Sequence, residues 1–94
     1  MRHPETNDDH ARDAATLALD ALVWTLGEPA RAERLLALTG LTPAGLRARI
    51  GETAIQAAAL GFLEAHEPDL VACAEAIGTR PEALVAARAM LEAA

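Results

Sequence analysis

The 94-residue chain sets eight basic against fourteen acidic residues, and the resulting formal charge of −6 opposes long-range approach to nucleic acid or to anionic membrane. It is 52% hydrophobic but only 2% aromatic, with much of the apolar count in alanine, which predicts one small all-helical domain with a modest core. A single cysteine, Cys73, excludes an intramolecular disulfide, and the absence of serine excludes serine nucleophiles. No apolar run approaches the ~18 to 20 residues needed to cross a bilayer. The start, Met1-Arg2-His3-Pro4-Glu5, is polar where a signal peptide needs its apolar stretch, so a cytoplasmic protein is expected.

Residues 1–9 are polar, carry Pro4 and Asn7, and lack helical periodicity, which predicts a disordered tail ahead of a single domain over 10–94. From about Asp9 to Leu26, Leu17, Ala21 and Trp24 follow i, i+4, i+7 spacing. Leu19 and Val23 widen that apolar face well beyond the stripe of an ordinary surface helix, so this helix belongs near the centre. Glu28-Pro29 opens a second helix, proline being well tolerated in a first turn, and Gly40 is placed to end it at positive φ. Thr42-Pro43 restarts the chain as a hydroxyl cap followed by proline, giving a short third helix with Leu46 and Ile50 that Gly51 closes.

A fourth helix runs from Thr53 to about Ala65, again apolar nearly all round, with Gln56 the one interruption. Ala57 and Gly61, four residues apart, leave room for another helix to come close. Pro68 opens a fifth helix that Gly78 ends. Thr79 and Glu82 have the spacing of a capping box, with Pro81 in the first turn of the sixth. Connections are short, so successive helices must be neighbours.

The punctuation recurs: Glu28-Pro29, Gly40, Pro43 and Leu46 return as Glu67-Pro68, Gly78, Pro81 and Leu84. The expected architecture is therefore a compact bundle of about six short helices, built as two tandem three-helix units over about 13–51 and 52–94 with pseudo-twofold symmetry. Trp24 and Phe62 fall at nearly equivalent places in the two units and are expected to be core anchors facing each other.

Candidate sites are few. The segment 35–50 has the outline of a helix-turn-helix, with Arg34, Arg47 and Arg49 as its cations. Its second helix begins Pro43-Ala44-Gly45, however, which offers no side-chain donor to base edges. The duplicate hairpin, 72–84, places Glu75 and Glu82 where cations would be needed, so the shape reads as structural. Glu64, His66 and Glu67 cluster at a helix junction, but metal binding needs further converging ligands, and His3 and His10 lie in or beside the tail. Cys73, between Ala72 and Ala74, reads as a small buried hydrophobe. No catalytic, metal-binding or cofactor-binding residue is assigned.

The run Leu35-Leu36-Ala37-Leu38-Thr39-Gly40-Leu41-Thr42-Pro43, continued by Leu46-Arg47, Phe62-Leu63, the Glu67 junction, Gly78, Pro81 and Ala86-Ala87-Arg88, resembles the small alphaproteobacterial proteins grouped as domain of unknown function 3572. The likeness covers nearly the whole chain from about Asp13. It implies a compact helical cytoplasmic protein and brings no activity or cofactor. The function expected from the residues themselves is a non-enzymatic helical interaction module, acting as a homodimer or by docking a protein partner. Leu17, Leu19 and Val23 are its expected interface, and a helix-turn-helix regulator is the alternative.

Overall fold

A computed structural model describes residues 13–93. The predicted tail over 1–9 and the proposed first turn at 9–12 lie outside the described residues. Six helices follow in order: α1 (Ala14–Leu26), α2 (Pro29–Thr39), α3 (Pro43–Arg49), α4 (Thr53–Glu64), α5 (Glu67–Ile77) and α6 (Pro81–Ala93). Among the described residues there is no strand, and no helix is long and apolar enough to cross a membrane.

Local chemistry accounts for several helix boundaries. The carboxylate of Asp13 accepts from the Thr16 amide at 2.9 Å, and that bond holds its pKa below the ordinary aspartate value. Glu28 accepts from the Arg31 amide at 3.0 Å ahead of Pro29, and the Thr42 hydroxyl accepts from the Gly45 amide at 3.0 Å ahead of Pro43. Gly40 and Gly78 both adopt the left-handed conformation, at φ of 73° and 79°, as their places after α2 and α5 predict.

The sixth helix starts differently from expectation. No hydrogen bond joins Thr79 to Glu82, so the capping box does not form. The Thr79 amide instead donates to the Ala74 carbonyl at 2.8 Å, while the Gly78 amide donates to Glu75 at 3.3 Å. These two bonds make a Schellman closure, in which Thr79 belongs to the end of α5 rather than the start of α6.

The interior divides into two apolar clusters. The larger gathers Leu17, Ala18 and Ala21 of α1, Ala57, Leu60 and Leu63 of α4, Leu70, Cys73 and Ala74 of α5, and Leu84, Ala87 and Leu91 of α6. The smaller gathers Leu22, Leu35, Leu46, Ile55 and Ala59. Only α1 and α4 contribute buried residues to both, so the two helices read as apolar nearly all round are the central ones. Where α6 crosses α4, the missing side chain of Gly61 makes room for Arg88, whose Cδ lies 3.6 Å from where a Cβ would stand. Arg88 then closes on Glu64 at 2.6 Å and Glu92 at 2.8 Å.

Trp24 and Phe62 correct the expectation of facing anchors. Both rings are half-buried at the edge of the clusters, and each is overlaid by an arginine of α2: Arg31 lies 3.7 Å from the Trp24 ring centre and Arg34 5.7 Å from that of Phe62. Close approach of alanine-lined helices leaves little volume for a ring in the seam, which Leu60, Leu63 and Leu84 fill completely. The rings therefore pack with one face on the core and the other beneath a cation.

Candidate functional site: an apolar groove between three helices

The C-terminal half of α1 turns two kinds of side chain in different directions. Leu17, Ala18, Ala21 and Leu22 are buried, whereas Val23 is 72% exposed and Leu26 39%. Leu19, Val23 and Leu26, spaced i, i+4, i+7, form one wall of a groove whose other sides are Ala32 and Leu36 of α2 and Pro43, Leu46, Arg47 and Ile50 along and just beyond α3. Leu22 and Leu46, both buried, make its floor. The groove encloses about 460 Å³, and among the described residues Arg47 is its one ionisable lining residue.

Two of the three expected interface residues, Leu19 and Val23, line this groove. The third, Leu17, does not: it lies in the larger cluster with 8% exposure, because a position two residues before Leu19 falls on the opposite side of a helix. Sequence reasoning missed Leu26, Leu36 and Ile50 as the companions of Val23. A signal was present in the i, i+4, i+7 row on α1 and the Pro43, Leu46, Ile50 row that faces it. What the sequence lacked was the information that α3 comes to lie opposite α1.

The cations of the helix-turn-helix alternative do not form one positive face. Arg34 donates to Asp69 at 2.9 Å, and Arg49 donates to Glu52 through Nε at 3.1 Å and through a terminal nitrogen at 3.0 Å. Only Arg47 is without an acidic partner among the described residues. The α2–α3 hairpin meanwhile buries Leu35 and Leu46 in the same cluster, so its shape is used by the core.

The remaining candidates separate in space. Glu64 is held by Arg88, while His66 Nδ1 lies 3.1 Å from Asp69. Among the described residues no three metal-ligating side chains converge. Cys73 has no exposed surface, and burial is the main cause that pushes its thiol pKa up to about 11; Asp20 and Asp69 add to the rise and Arg31 opposes it. A thiol protonated at neutral pH is a poor nucleophile. A second, more polar hollow of about 560 Å³ runs beside α4 from Thr53 to Phe62, but its charged groups, Arg88 and Glu92, already satisfy each other.

No curated protein and no solved structure matches the chain. The family described as protein of unknown function (DUF3572) matches residues 11–94, which takes in all six helices and every wall of the groove, and the chain belongs to that family.

Proposed function

We propose that this protein is a non-enzymatic interaction module, and that the groove between α1, α2 and α3 receives an amphipathic helix of a protein partner. The observation that carries this reading is the exposure of Val23 and Leu26 beside a groove with nearly wholly apolar walls. Isolated apolar residues on a surface need no explanation, but a continuous apolar concavity is a common mark of binding. Its dimensions favour a helix. Leu26 lies seven residues after Leu19 on α1, about 10 Å at the rise of an α-helix, and Ile50 lies seven after Pro43 on the opposite wall. A groove two turns long matches helix-in-groove recognition, in which anchors spaced i, i+3 or i+4, and i+7 fill an apolar channel.

Site-specific photo-crosslinking tests the reading. A photoreactive amino acid at position 23, in the full chain expressed in its native cell, is expected to give a covalent protein adduct. The same probe at Glu33, an exposed position of α2 outside the groove lining, should not. Equal labelling from both positions removes the groove as the docking site.

A further inference from the structure

The chain carries an apolar helix face of the kind the groove accepts. On α6, Leu84, Ala87 and Leu91 point into the core, while Val85, Ala86, Ala89, Met90 and Ala93 are exposed. Their spacing of i, i+1, i+4, i+5 and i+8 gathers them on one side of the helix. Val85 is 43% exposed and Met90 63%, so this stripe has two large side chains projecting from an alanine background. One small domain thus presents a concave apolar surface and a convex one.

We infer that the occupant of the groove is α6 of a second copy of this chain, with Val85 and Met90 as the inserted side chains and Glu82 placed toward Arg47. The inference rests on the groove being a docking site and adds the identity of what docks. Three features carry it. Val85 and Met90 are separated by about 8 Å along the helix, which fits within a groove about 10 Å long. Ala86 and Ala89 beside them are small enough to let the helix backbone settle between the walls, and Met90 is flexible enough to fill an irregular floor. The charge also matches: Arg47 has no acidic partner among the described residues, and Glu82 ends the stripe with only a long, largely solvated contact to Arg80 at 3.7 Å. A foreign helix would need the same pattern.

Each groove–stripe contact joins two different surfaces: made once it is heterologous, and made reciprocally by two copies it is an isologous twofold interface. Two copies that exchange both contacts close as a dimer, whereas one contact at a time extends a chain. That difference makes a complementation experiment decisive. Val23→Lys spoils the groove and leaves the stripe intact; Met90→Lys does the reverse. Both positions are exposed, so both variants should retain the wild-type far-ultraviolet circular dichroism spectrum and melting temperature. In sedimentation velocity of the full chain up to millimolar concentration, the wild type is expected to associate, and each variant alone to associate about tenfold or more weakly. Mixed in equal amounts, the two should form a heterodimer that neither forms with itself. Arg47→Glu should weaken association, and adding Glu82→Arg in the same chain should restore it.

A wild type that stays monomeric at millimolar concentration overturns the inference. So does association lost in Val23→Lys but unchanged in Met90→Lys, which assigns the groove to itself. A monomer that still crosslinks a foreign protein through position 23 overturns the self-association and leaves the groove as a docking site.

Discussion

The helix after the first Gly-Pro punctuation in the sequence, α3, has seven residues, while the helix after the second, α6, has thirteen. The difference decides where the molecule is closed and where it is open. α6 is long enough to lie along α1, α4 and α5, and it places Leu84, Ala87 and Leu91 in the larger cluster. α3 reaches the core through Leu46 alone, and the space it does not cover is the groove. The helices opened by the two Glu-Pro pairs, α2 and α5, differ in the same direction. Counted from the two Glu-Pro pairs, Arg31 and Arg34 of α2 correspond to Leu70 and Cys73 of α5; the arginines lie over aromatic rings, while Leu70 and Cys73 are buried. Similar helix punctuation has thus been filled with different side chains, one set completing a core and the other leaving a surface.

Truncation of one leucine in α3 and one in α6 is the strongest way to break this comparison. Leu84 is fully buried in the larger cluster, so Leu84→Ala should lower the unfolding free energy by about 3 to 5 kcal/mol, the upper part of the range for large-to-small core substitutions. Leu46 is 2% exposed, but its helix is short and borders an open groove into which neighbours can relax; Leu46→Ala should cost about 2 to 3 kcal/mol. Urea unfolding followed by circular dichroism measures both. Equal costs, or a larger one at Leu46, would mean that α3 is as integral to the core as α6.

The helix boundaries were legible because they depend on neighbours in sequence. Thr42 caps α3 and Gly40 ends α2 through atoms no more than four residues away, and a chain read in order contains those pairs. The central placement of α1 and α4 was legible for a different reason: helices apolar nearly all round have no face to leave in water. That same property hid the site. With Leu17, Leu19, Leu22, Val23 and Leu26 distributed around α1, periodicity does not distinguish the residues facing α4 and α6 from those facing the groove. Thr79 was misassigned because one threonine can end a helix through its amide or begin the next through its hydroxyl. Trp24 and Phe62 were misplaced because ring size suggests burial, whereas available volume in an alanine-rich seam determines it.

The two glycine closures sharpen the comparison at lower energy. Gly40 and Gly78 have nearly the same φ, and beyond the glycine and its chain neighbours no atom lies within 4 Å of where either Cβ would stand, so a substitution meets backbone strain rather than a packing clash. Valine at either position should cost about 1 to 3 kcal/mol. The closures are not identical. After α2 the Gly40 amide donates to Leu36 at 2.8 Å, and the Leu41 amide meets the Thr39 hydroxyl at 3.4 Å; after α5 the two-bond Schellman closure forms. Gly78→Val therefore disturbs one more backbone hydrogen bond than Gly40→Val and should be the costlier of the two by a few tenths of a kcal/mol to about 1 kcal/mol. Melting curves for the pair test this, and a larger loss at Gly40 would show that the α2–α3 turn is the more constrained one.

The smallest expected effect concerns nucleic acid, where the α2–α3 hairpin and the α5–α6 hairpin that matches its outline in sequence differ in charge. In the first, Arg34 and Arg49 are engaged by Asp69 and Glu52, and the opening turn of α3 offers no base-reading side chain. In the second, Glu75 and Glu82 are exposed. Any contact with duplex DNA should therefore be non-specific, visible at low salt only, and, among the described residues, carried mainly by Arg47 and whatever the weakened pairs release. Fluorescence anisotropy against mixed-sequence duplex across a salt series measures it. Arg47→Ala should lower the slope of log affinity against log salt by about one where binding is detectable at all. Sequence-selective binding that survives moderate salt and is lost on Arg47→Ala or Arg49→Ala would mean that the paired arginines are released on contact, and would move function from the groove to the hairpin beside it.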